Sequence, residues 1–296
     1  MSTPDAEMER LRGLAVNVGY RMLGSVAEAE DVAQETLLRL HGSQDEEIHN
    51  PDGFVTTVAT RLSLDVLRSA RVRRESYVGE WLPEPLVEDV GMQRVEDDET
   101  ISLAFLVLLE RLTPEERAVL VLREAFGYDY EEIGTVLDKR PDACRQLLSR
   151  ARKHVEAERP RFDPDPVQRD TLAARFVDAA RGGDLEELVA LLAPDAVLVG
   201  DGGGKARAIS RPLVGGPAVA QALTNFAREG AMRGVTVELV RVNGQPGLRT
   251  IAPDGSLVNV VGIDVADSRV VRLHSILNPD KLAHLGPLSE IALRRR

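Results

Sequence analysis

The chain has 296 residues, of which 43% are hydrophobic and 29% charged, and its net charge is −11. This length predicts about two domains, each large enough to bury a core. One cysteine and five scattered histidines exclude a disulfide framework and a cysteine- or histidine-rich metal site. No apolar run approaches the ~18 residues of a membrane span, and the N-terminal residues lack an apolar signal core. We therefore expect a cytoplasmic protein that makes no membrane contact.

The first 160 residues have the sequence pattern of successive helices. Capping boxes at Ser25/Glu28, Thr113/Glu116 and Asp129/Glu132 mark three helix starts, and Pro51 and Pro141 mark two more. Between the helix starts at Ser25 and Pro51, five apolar residues and one threonine recur at spacings of three and four, which indicates one buried helical face. These residues are Ala29, Val32, Ala33, Thr36, Leu37 and Leu40.

The acidic charge is concentrated in one short segment. Residues 78–100 contain eight acidic residues and one basic residue, together with two prolines and two glycines. Because so many like charges would repel one another in a packed element, this segment is predicted to be a linker that is extended in part. A second proline-rich linker spans residues 160–167.

After Val167 the pattern changes to an α+β domain. Glycine-punctuated β-branched runs predict strands at Ala196–Val199, Val235–Val242, Leu257–Val265 and Val270–Leu277. The dipeptide Asp254-Gly255 predicts a hairpin turn, so the sheet should be mostly antiparallel. Helices are predicted at Leu172–Arg181, Leu185–Leu192 and Pro217–Arg228.

Two short helices, Tyr130–Leu137 and Pro141–His154, resemble a helix-turn-helix in their spacing. The outward face of the second helix is basic and polar, and its early residues can read base edges while later ones reach phosphates. The alternative is an ordinary helical hairpin with a solvated face; Cys144 is expected to be a packing residue. The candidate DNA contacts are Arg145, Gln146, Ser149, Arg150, Arg152 and Lys153.

A second basic stretch, residues 61–74, contains five basic residues and one acidic residue. A solvated helix face usually mixes both signs, which remains the alternative interpretation here. Four arginines fall roughly on one helical face and are further candidate DNA contacts: Arg61, Arg68, Arg71 and Arg74.

These segments resemble the sigma factors of bacterial RNA polymerase. AEDVAQETLLRL (residues 29–40) and GFVTTVATRLSLDVLRSARVRRE (53–75) are similar to sigma region 2, and residues 112–152 are similar to region 4. The short separation between them matches the extracytoplasmic-function class. Residues 168–285 resemble a SnoaL-like domain of the NTF2-like superfamily, a cone of curved sheet and helices around a pocket.

The resemblance implies a multidomain fold with two all-α domains and one α+β domain. Region 2 would span residues 1–77, the linker 78–100, region 4 with its helix-turn-helix 101–159, a second linker 160–167, and the SnoaL-like regulatory domain 168–296. Region 4 would read the −35 element as duplex, and region 2 would melt and capture the −10 element.

The resemblance also assigns partners. Asp31, Gln34 and Glu35 match the helix that docks on the clamp of the polymerase β′ subunit, and region 4 would meet the β flap. Residues 41–51 match the loop that holds a flipped −10 base, and the four arginines of residues 61–74 would contact −10 DNA. The acidic linker would run through the active-centre cleft as a nucleic-acid mimic; the alternative is a solvated tether. Arg61 departs from the smaller polar residue that many members carry.

Three further motifs look like marks of the sigma-factor subgroup that carries this extension: WLPEP (residues 81–85), DGGGK (201–205) and NPDKL (278–282). For DGGGK, three interpretations stay open: an anion cradle, a plain hairpin loop, or a docking loop against region 2 or the linker. We expect this motif and NPDKL to lie on one face that makes regulatory contacts. The residues concerned are Trp81, Asp201, Gly202, Gly203, Gly204, Lys205, Asn278, Pro279, Asp280 and Lys281.

The sequence thus predicts a sigma initiation factor with a regulatory C-terminal domain, no catalytic residues, no cofactor and no metal. Its partners would be core RNA polymerase, promoter DNA and an unknown small ligand in the C-terminal pocket. Two alternatives remain: a one-component regulator that senses a ligand, and a SnoaL-type cyclase or isomerase fused to a DNA-binding segment. For an enzyme, the best acid/base pair is His274 with Asp264.

Overall fold

The computed structural model describes residues 4–42, 48–75, 77–90, 101–158 and 165–293. Contacts divide the chain into two compact units. The first consists of Met1–Ser76 and Leu106–Arg159, and the second of Tyr77–Phe105 and Pro160–Arg296. The acidic segment therefore belongs, where it is described, to the same unit as the C-terminal domain.

Three helices form the N-terminal part of the first unit, and they pack on one another through the predicted apolar stripe. Ala29, Val32, Ala33, Thr36 and Leu40 are buried, and the Thr36 hydroxyl donates to the Val32 carbonyl 2.7 Å away, so the one polar member of the stripe is satisfied. The helices are α1 (Pro4–Leu23), α2 (Val26–Gly42) and α3 (Pro51–Glu75).

Four more helices follow: α4 (Leu103–Leu109), α5 (Pro114–Glu124), α6 (Tyr130–Leu137) and α7 (Pro141–Glu158). Two of the three predicted capping boxes are confirmed in full, at Thr113/Glu116 for α5 and Asp129/Glu132 for α6. At the third, the Glu28 amide donates to Ser25 Oγ at 3.2 Å. The buried Arg117 of α5 donates to the carbonyls of Leu109 and Met22, the latter 2.9 Å away in α1. This arginine therefore ties the region 4 helices to the region 2 helices.

The turn between α6 and α7 depends on a glycine. A Cβ atom added at Gly134 would lie 2.6 Å from the Lys139 carbonyl oxygen. Gly134→Ala should therefore destabilise the first unit by about 1–3 kcal/mol, despite the higher helix propensity of alanine. Chemical denaturation followed by circular dichroism measures this, with Gly13→Ala as control because that position meets nothing within 4 Å. Equal stability changes in the two variants would contradict the prediction.

The second unit contains one seven-stranded sheet among the described residues, with strand order β1-β4-β5-β6-β7-β2-β3. All neighbours pair antiparallel except β2 and β7, which are parallel. The strands are β1 (Val87–Asp89), β2 (Leu192–Asp201), β3 (Leu213–Val214), β4 (Thr236–Val242), β5 (Gln245–Ile251), β6 (Leu257–Ala266) and β7 (Arg269–Ile276).

Three long or medium helices pack on one face of this sheet: α8 (Pro166–Gly182), α9 (Leu185–Leu191) and α10 (Gly216–Met232). They enclose the apolar core with inward residues of the strands, such as Leu198, Ile263 and Leu273. A one-turn helix, α11 (Pro279–Leu282), follows the last strand. A sheet with helices packed on it is the α+β architecture that the sequence predicts for this part of the chain.

The first half of the acidic segment is part of this unit. Leu82 is 2% exposed, and Val87–Asp89 form β1, which pairs with residues 240–242 of β4. Asn243 receives a hydrogen bond from the Leu86 amide and donates to the Ile101 carbonyl, so it holds both flanks of residues 91–100. Those ten residues lie outside the described part of the chain.

Candidate functional site

The DGGGK motif holds the start of the acidic segment through one carboxylate. Asp201 is fully buried at the end of β2. Its Oδ1 accepts from the Tyr77 hydroxyl at 2.5 Å and from the Gly203 amide at 3.0 Å. Its Oδ2 accepts from the Leu82 amide at 2.8 Å and from Lys281 Nζ at 2.6 Å. Four donors on two oxygens satisfy the buried charge.

Lys281 of the NPDKL motif supplies the positive charge. It is 5% exposed, also donates to the Leu82 carbonyl, and lies 3.9 Å from the centroid of the Trp81 ring. Asn278 donates to the Tyr77 hydroxyl at 2.8 Å. We call this set of contacts the linker clasp: Tyr77, Trp81 and Leu82 held by Asp201, Asn278 and Lys281.

The surroundings of the clasp explain why a tyrosine stands at position 77 and a glycine at position 203. Burial, reinforced by Asp201, raises the pKa of Tyr77 far above its ordinary value, so the phenol stays a neutral donor. Gly203 has φ +56°, and a Cβ there would lie 2.3 Å from Asn278 Nδ2, so the two motifs meet only because a glycine stands there. The Gly203 amide bonds the motif's own carboxylate, which leaves it unavailable to cradle an external anion.

The remaining motif residues lie around the clasp. Gly202 and Gly204 complete the turn, with Gly204 facing Val78 of the acidic segment. Lys205 pairs with Asp280 at 2.6 Å, but both side chains are more than half exposed. Sequence reasoning missed Tyr77, since nothing near it forms a motif.

The candidate −35 residues lie together on the exposed side of α7. Cys144, Leu147, Leu148 and Ala151 face inward and are buried, as the helix period requires. Arg145 lies 4.9 Å from the Tyr130 ring centroid and pairs with Asp142. All six predicted side chains are exposed: Arg145, Gln146, Ser149, Arg150, Arg152 and Lys153.

Besides Arg145, two more of these arginines have acidic partners, and both partners lie on α5. Arg150 pairs with Glu116, whose side chain is 5% exposed, at 3.2 Å, and Arg152 pairs with Glu124 at 2.5 Å. DNA contacts by these two side chains would therefore compete with existing ion pairs.

Two of the four candidate −10 arginines of α3, Arg61 and Arg68, contact region 4 helices. Arg61 donates to the carbonyls of Thr135 and Val136, at the negative C-terminal end of α6, each at 2.9 Å. Arg68 pairs with Glu115 of α5 at 3.0 Å. The side chains of Arg71 and Arg74 lie outside the described part of the structure.

The candidate polymerase-binding residues lie on α2. Asp31 and Gln34 are exposed, and the half-buried Glu35 pairs with Arg39 at 2.9 Å. Asp31 and Gln34, but not Glu35, border a groove of about 440 Å³ between α1 and α2 that also includes Leu38. Leu38 is 61% exposed. Leu38 lies outside the buried stripe of α2. An apolar residue off the buried face is the sequence signal for an exposed contact surface, and sequence reasoning missed it here.

Residues 43–47 of the expected base-capture loop lie outside the described part of the chain. His274 and Asp264 form a buried pair, with Nε2 and Oδ2 2.8 Å apart. Alternation along the strands places both on the sheet face opposite Leu273, away from the core helices.

Comparisons with known proteins agree with this architecture. Residues 8–73 match the family model "Sigma-70 region 2", and residues 102–155 match "Sigma-70, region 4". The chain is 38% identical over 298 residues to the ECF RNA polymerase sigma factor SigJ of Mycobacterium tuberculosis, covering 96% of this chain and 95% of that protein. It is 30% identical to the probable ECF RNA polymerase sigma factor SigI of the same species, with 92% of each chain covered.

The solved crystal structure of M. tuberculosis SigJ superimposes with a TM-score of 0.78 and 33% identity, over 96% of this chain and all of that one. Within the described ranges, no helix has both the length and the apolar character needed to cross a membrane. The chain has the region 2 and region 4 helices with the helix-turn-helix, and it is similar to two curated relatives over more than nine-tenths of its length. It therefore belongs to the extracytoplasmic-function (ECF) sigma factors of RNA polymerase.

Proposed function

We propose that this sigma factor is regulated by its own C-terminal domain, through the linker clasp. The observation that carries the proposal is the burial of residues 82–85 against the domain, with Trp81 half-buried beside them, fixed by the Asp201–Lys281 ion pair. In a sigma factor this segment is expected to run through the active-centre cleft of polymerase. The same residues cannot lie in the cleft and in the clasp, so the clasped chain is a resting form.

The contacts within the first unit support a resting form independently. Arg61 and Arg68 are expected to face −10 DNA, yet both bind region 4 helices. Region 2 and region 4 must separate to reach two promoter elements at a fixed spacing. We infer that polymerase binding breaks these arginine contacts, and that opening of the clasp supplies the slack in the linker.

Promoter reading would follow the sigma pattern once polymerase is bound. The exposed face of α7 would meet −35 duplex at the β flap, and α3 with residues 41–51 would capture −10 DNA. The groove beside Asp31, Gln34 and Leu38 would dock on the β′ clamp. These steps place the protein in the cytoplasm, where bacterial polymerase works.

We propose no catalytic role for the C-terminal domain. The pair His274 and Asp264 is buried and lies on the sheet face away from the helices, so it cannot touch a molecule held between sheet and helices. The hydrogen bond of 2.8 Å between His274 Nε2 and Asp264 Oδ2 pairs two buried polar groups with each other, although His274 Nδ1 has no partner among the described residues.

Dependence on polymerase tests the sigma mechanism against the one-component alternative. The acidic free chain should bind promoter DNA weakly at physiological salt, and added core polymerase should create specific binding. A gel-shift assay with and without core polymerase measures this. Tight specific binding by the free chain would instead support a one-component regulator.

The division of labour on α7 gives a second test, measured on the holoenzyme. Arg145→Ala should cost about 1–3 kcal/mol of binding and relax preference at one −35 position. Arg152→Ala should weaken all sequences alike and reduce the salt slope by about one, as loss of a phosphate contact does. Equal behaviour of the two variants across a set of −35 sequences would refute these assignments.

A further inference from the structure

The C-terminal domain encloses a cavity between its sheet and the helix α10. One compartment of about 430 Å³ is lined by Phe176, Leu223 and other apolar residues. A second, of about 300 Å³, shares Leu198, Phe226 and Thr250 with it. Both compartments are mostly apolar, with the hydroxyls of Thr250 and Ser275 as shared polar groups. This combination of volume and lining is typical of a small-molecule site.

The walls of this cavity continue directly into the linker clasp. On β2, Gly200 lines the cavity and the next residue is Asp201. After β7, Leu277 lines the cavity and the next residue is Asn278. The amides of Leu277 and Asn278 both donate to the Asp201 carbonyl, at 2.7 and 2.9 Å. Cavity wall and clasp are therefore one hydrogen-bonded piece of backbone.

We infer that this cavity binds a neutral, largely apolar small molecule and that its occupancy strengthens the linker clasp. A molecule packed against Gly200 and Leu277 braces the two strand ends that carry Asp201 and Asn278. Because the occupant favours the clasped form, it also favours the resting sigma factor. This inference rests on the proposed regulatory function. It adds the chemical class of the ligand and makes the occupancy of the cavity the signal that holds the clasp closed.

The chemical class follows from the charges at the cavity wall. Among the described lining residues of the larger compartment, the charged one is Arg181, which donates to the Val237 carbonyl. At the smaller compartment, Arg233 pairs with Glu229 at 2.6 Å and Arg207 is exposed to solvent. A carboxylate buried between the apolar walls of the larger compartment would therefore pay a desolvation cost without a free cation beside it. At the wall that both compartments share, the polar groups are the hydroxyls of Thr250 and Ser275, and Ser275 Oγ accepts a hydrogen bond from Asn259 Nδ2 at 3.3 Å. A ligand with one hydroxyl group suits this wall.

Binding is tested on the full-length chain with N-phenyl-1-naphthylamine, a neutral dye that fluoresces in apolar sites. We expect fluorescence enhancement, displacement by 1-decanol, and at least roughly tenfold weaker displacement by decanoate. Ala227→Phe narrows the larger compartment and should abolish dye binding. Thr250→Val keeps the side-chain volume but removes the hydroxyl. It should therefore weaken the binding of 1-decanol and leave the binding of n-butylbenzene, which has no polar group, unchanged. Absence of dye binding, or tighter binding of decanoate, would overturn the inference.

Coupling to the clasp is read from Trp81, which is the single tryptophan of the chain. Saturating 1-decanol should change its emission, excited at 295 nm, and should lower run-off transcription. Coupling is reciprocal, so Lys281→Met should weaken 1-decanol binding roughly five-fold or more. Lys205→Met, which removes an exposed pair of the same length, should leave the affinity unchanged.

The outcomes separate the ligand from the clasp itself. Equal 1-decanol affinity in wild type and Lys281→Met, with unchanged Trp81 emission, would overturn the coupling. If no ligand binds but Lys281→Met still raises transcription, this inference fails while the proposed regulatory function stands. If the ligand binds and shifts Trp81 but Lys281→Met leaves transcription unchanged, the regulatory function fails instead.

Discussion

Lys281→Met is expected to open the linker clasp and raise run-off transcription. The substitution keeps the length of the side chain but removes the charge that compensates Asp201, whose side chain is fully buried. Removing one partner of a buried ion pair costs about 3–5 kcal/mol. Since each 1.4 kcal/mol is a tenfold change in an equilibrium, roughly a hundredfold or more of the preference for the clasped form is lost.

Denaturation followed by Trp81 emission measures this loss, and run-off with core polymerase measures its consequence. Lys205→Met is the matched control, because Lys205 and Asp280 are also 2.6 Å apart but exposed. Exposed pairs contribute about 0–1 kcal/mol, so this variant should behave as wild type. If both lysine variants transcribe at the wild-type level, the clasp has no regulatory role.

Tyr77→Phe separates clasp opening from general loss of stability. It removes only the linker-side hydroxyl, which donates to Asp201 and accepts from Asn278. Leaving Asp201 with one donor fewer costs about 1–3 kcal/mol, so transcription should rise less than in Lys281→Met. The far-ultraviolet circular dichroism should stay unchanged, because the phenyl ring still fills its place.

Local sequence signals determined most of the helical part of this fold. The boxes at Thr113/Glu116 and Asp129/Glu132 satisfy specific backbone amides, so they work whatever the tertiary contacts are. The hairpin turn at Asp254-Gly255, which joins β5 to the antiparallel β6, was predicted from the dipeptide because such a turn is also a local signal. The predicted helix at Leu172–Arg181 was too short, because α8 begins at Pro166 beyond the apolar pattern.

Three strands, β1, β3 and β5, were missed, and the structure gives a physical reason for two of them, β5 and β1. β5 begins Gln-Pro-Gly, residues that disfavour strands. Gly247 is nevertheless required there, since a Cβ would meet the Val242 side chain and the Val261 carbonyl. β1 exists only through its pairing with β4, more than 150 residues away. The clasp was foreseen as a contact, but its chemistry was not, because burial of Lys281 beside Asp201 is a property of the folded domain.

Leu38→Asp, in the groove beside Asp31 and Gln34, is expected to weaken the binding of core polymerase. Leu38 projects 61% exposed from α2 beside Asp31 and Gln34, and a large exposed apolar side chain in a groove has the character of an interface anchor. The substitution should weaken core polymerase binding by about 2 kcal/mol or more, roughly a thirty-fold loss. Fold stability should change by less than about 0.5 kcal/mol, since the site is on the surface.

Competition with a labelled sigma factor for core polymerase measures the affinity of Leu38→Asp, and thermal unfolding checks its fold. Val167→Asp is the control, because Val167 is 73% exposed at the start of α8, in the other unit of the chain. It adds the same charge without touching the groove, so it should bind as wild type. Wild-type affinity of Leu38→Asp would move the polymerase contact away from this face of α2. Equal weakening of both variants would instead show that added negative charge, rather than loss of an apolar anchor, opposes binding.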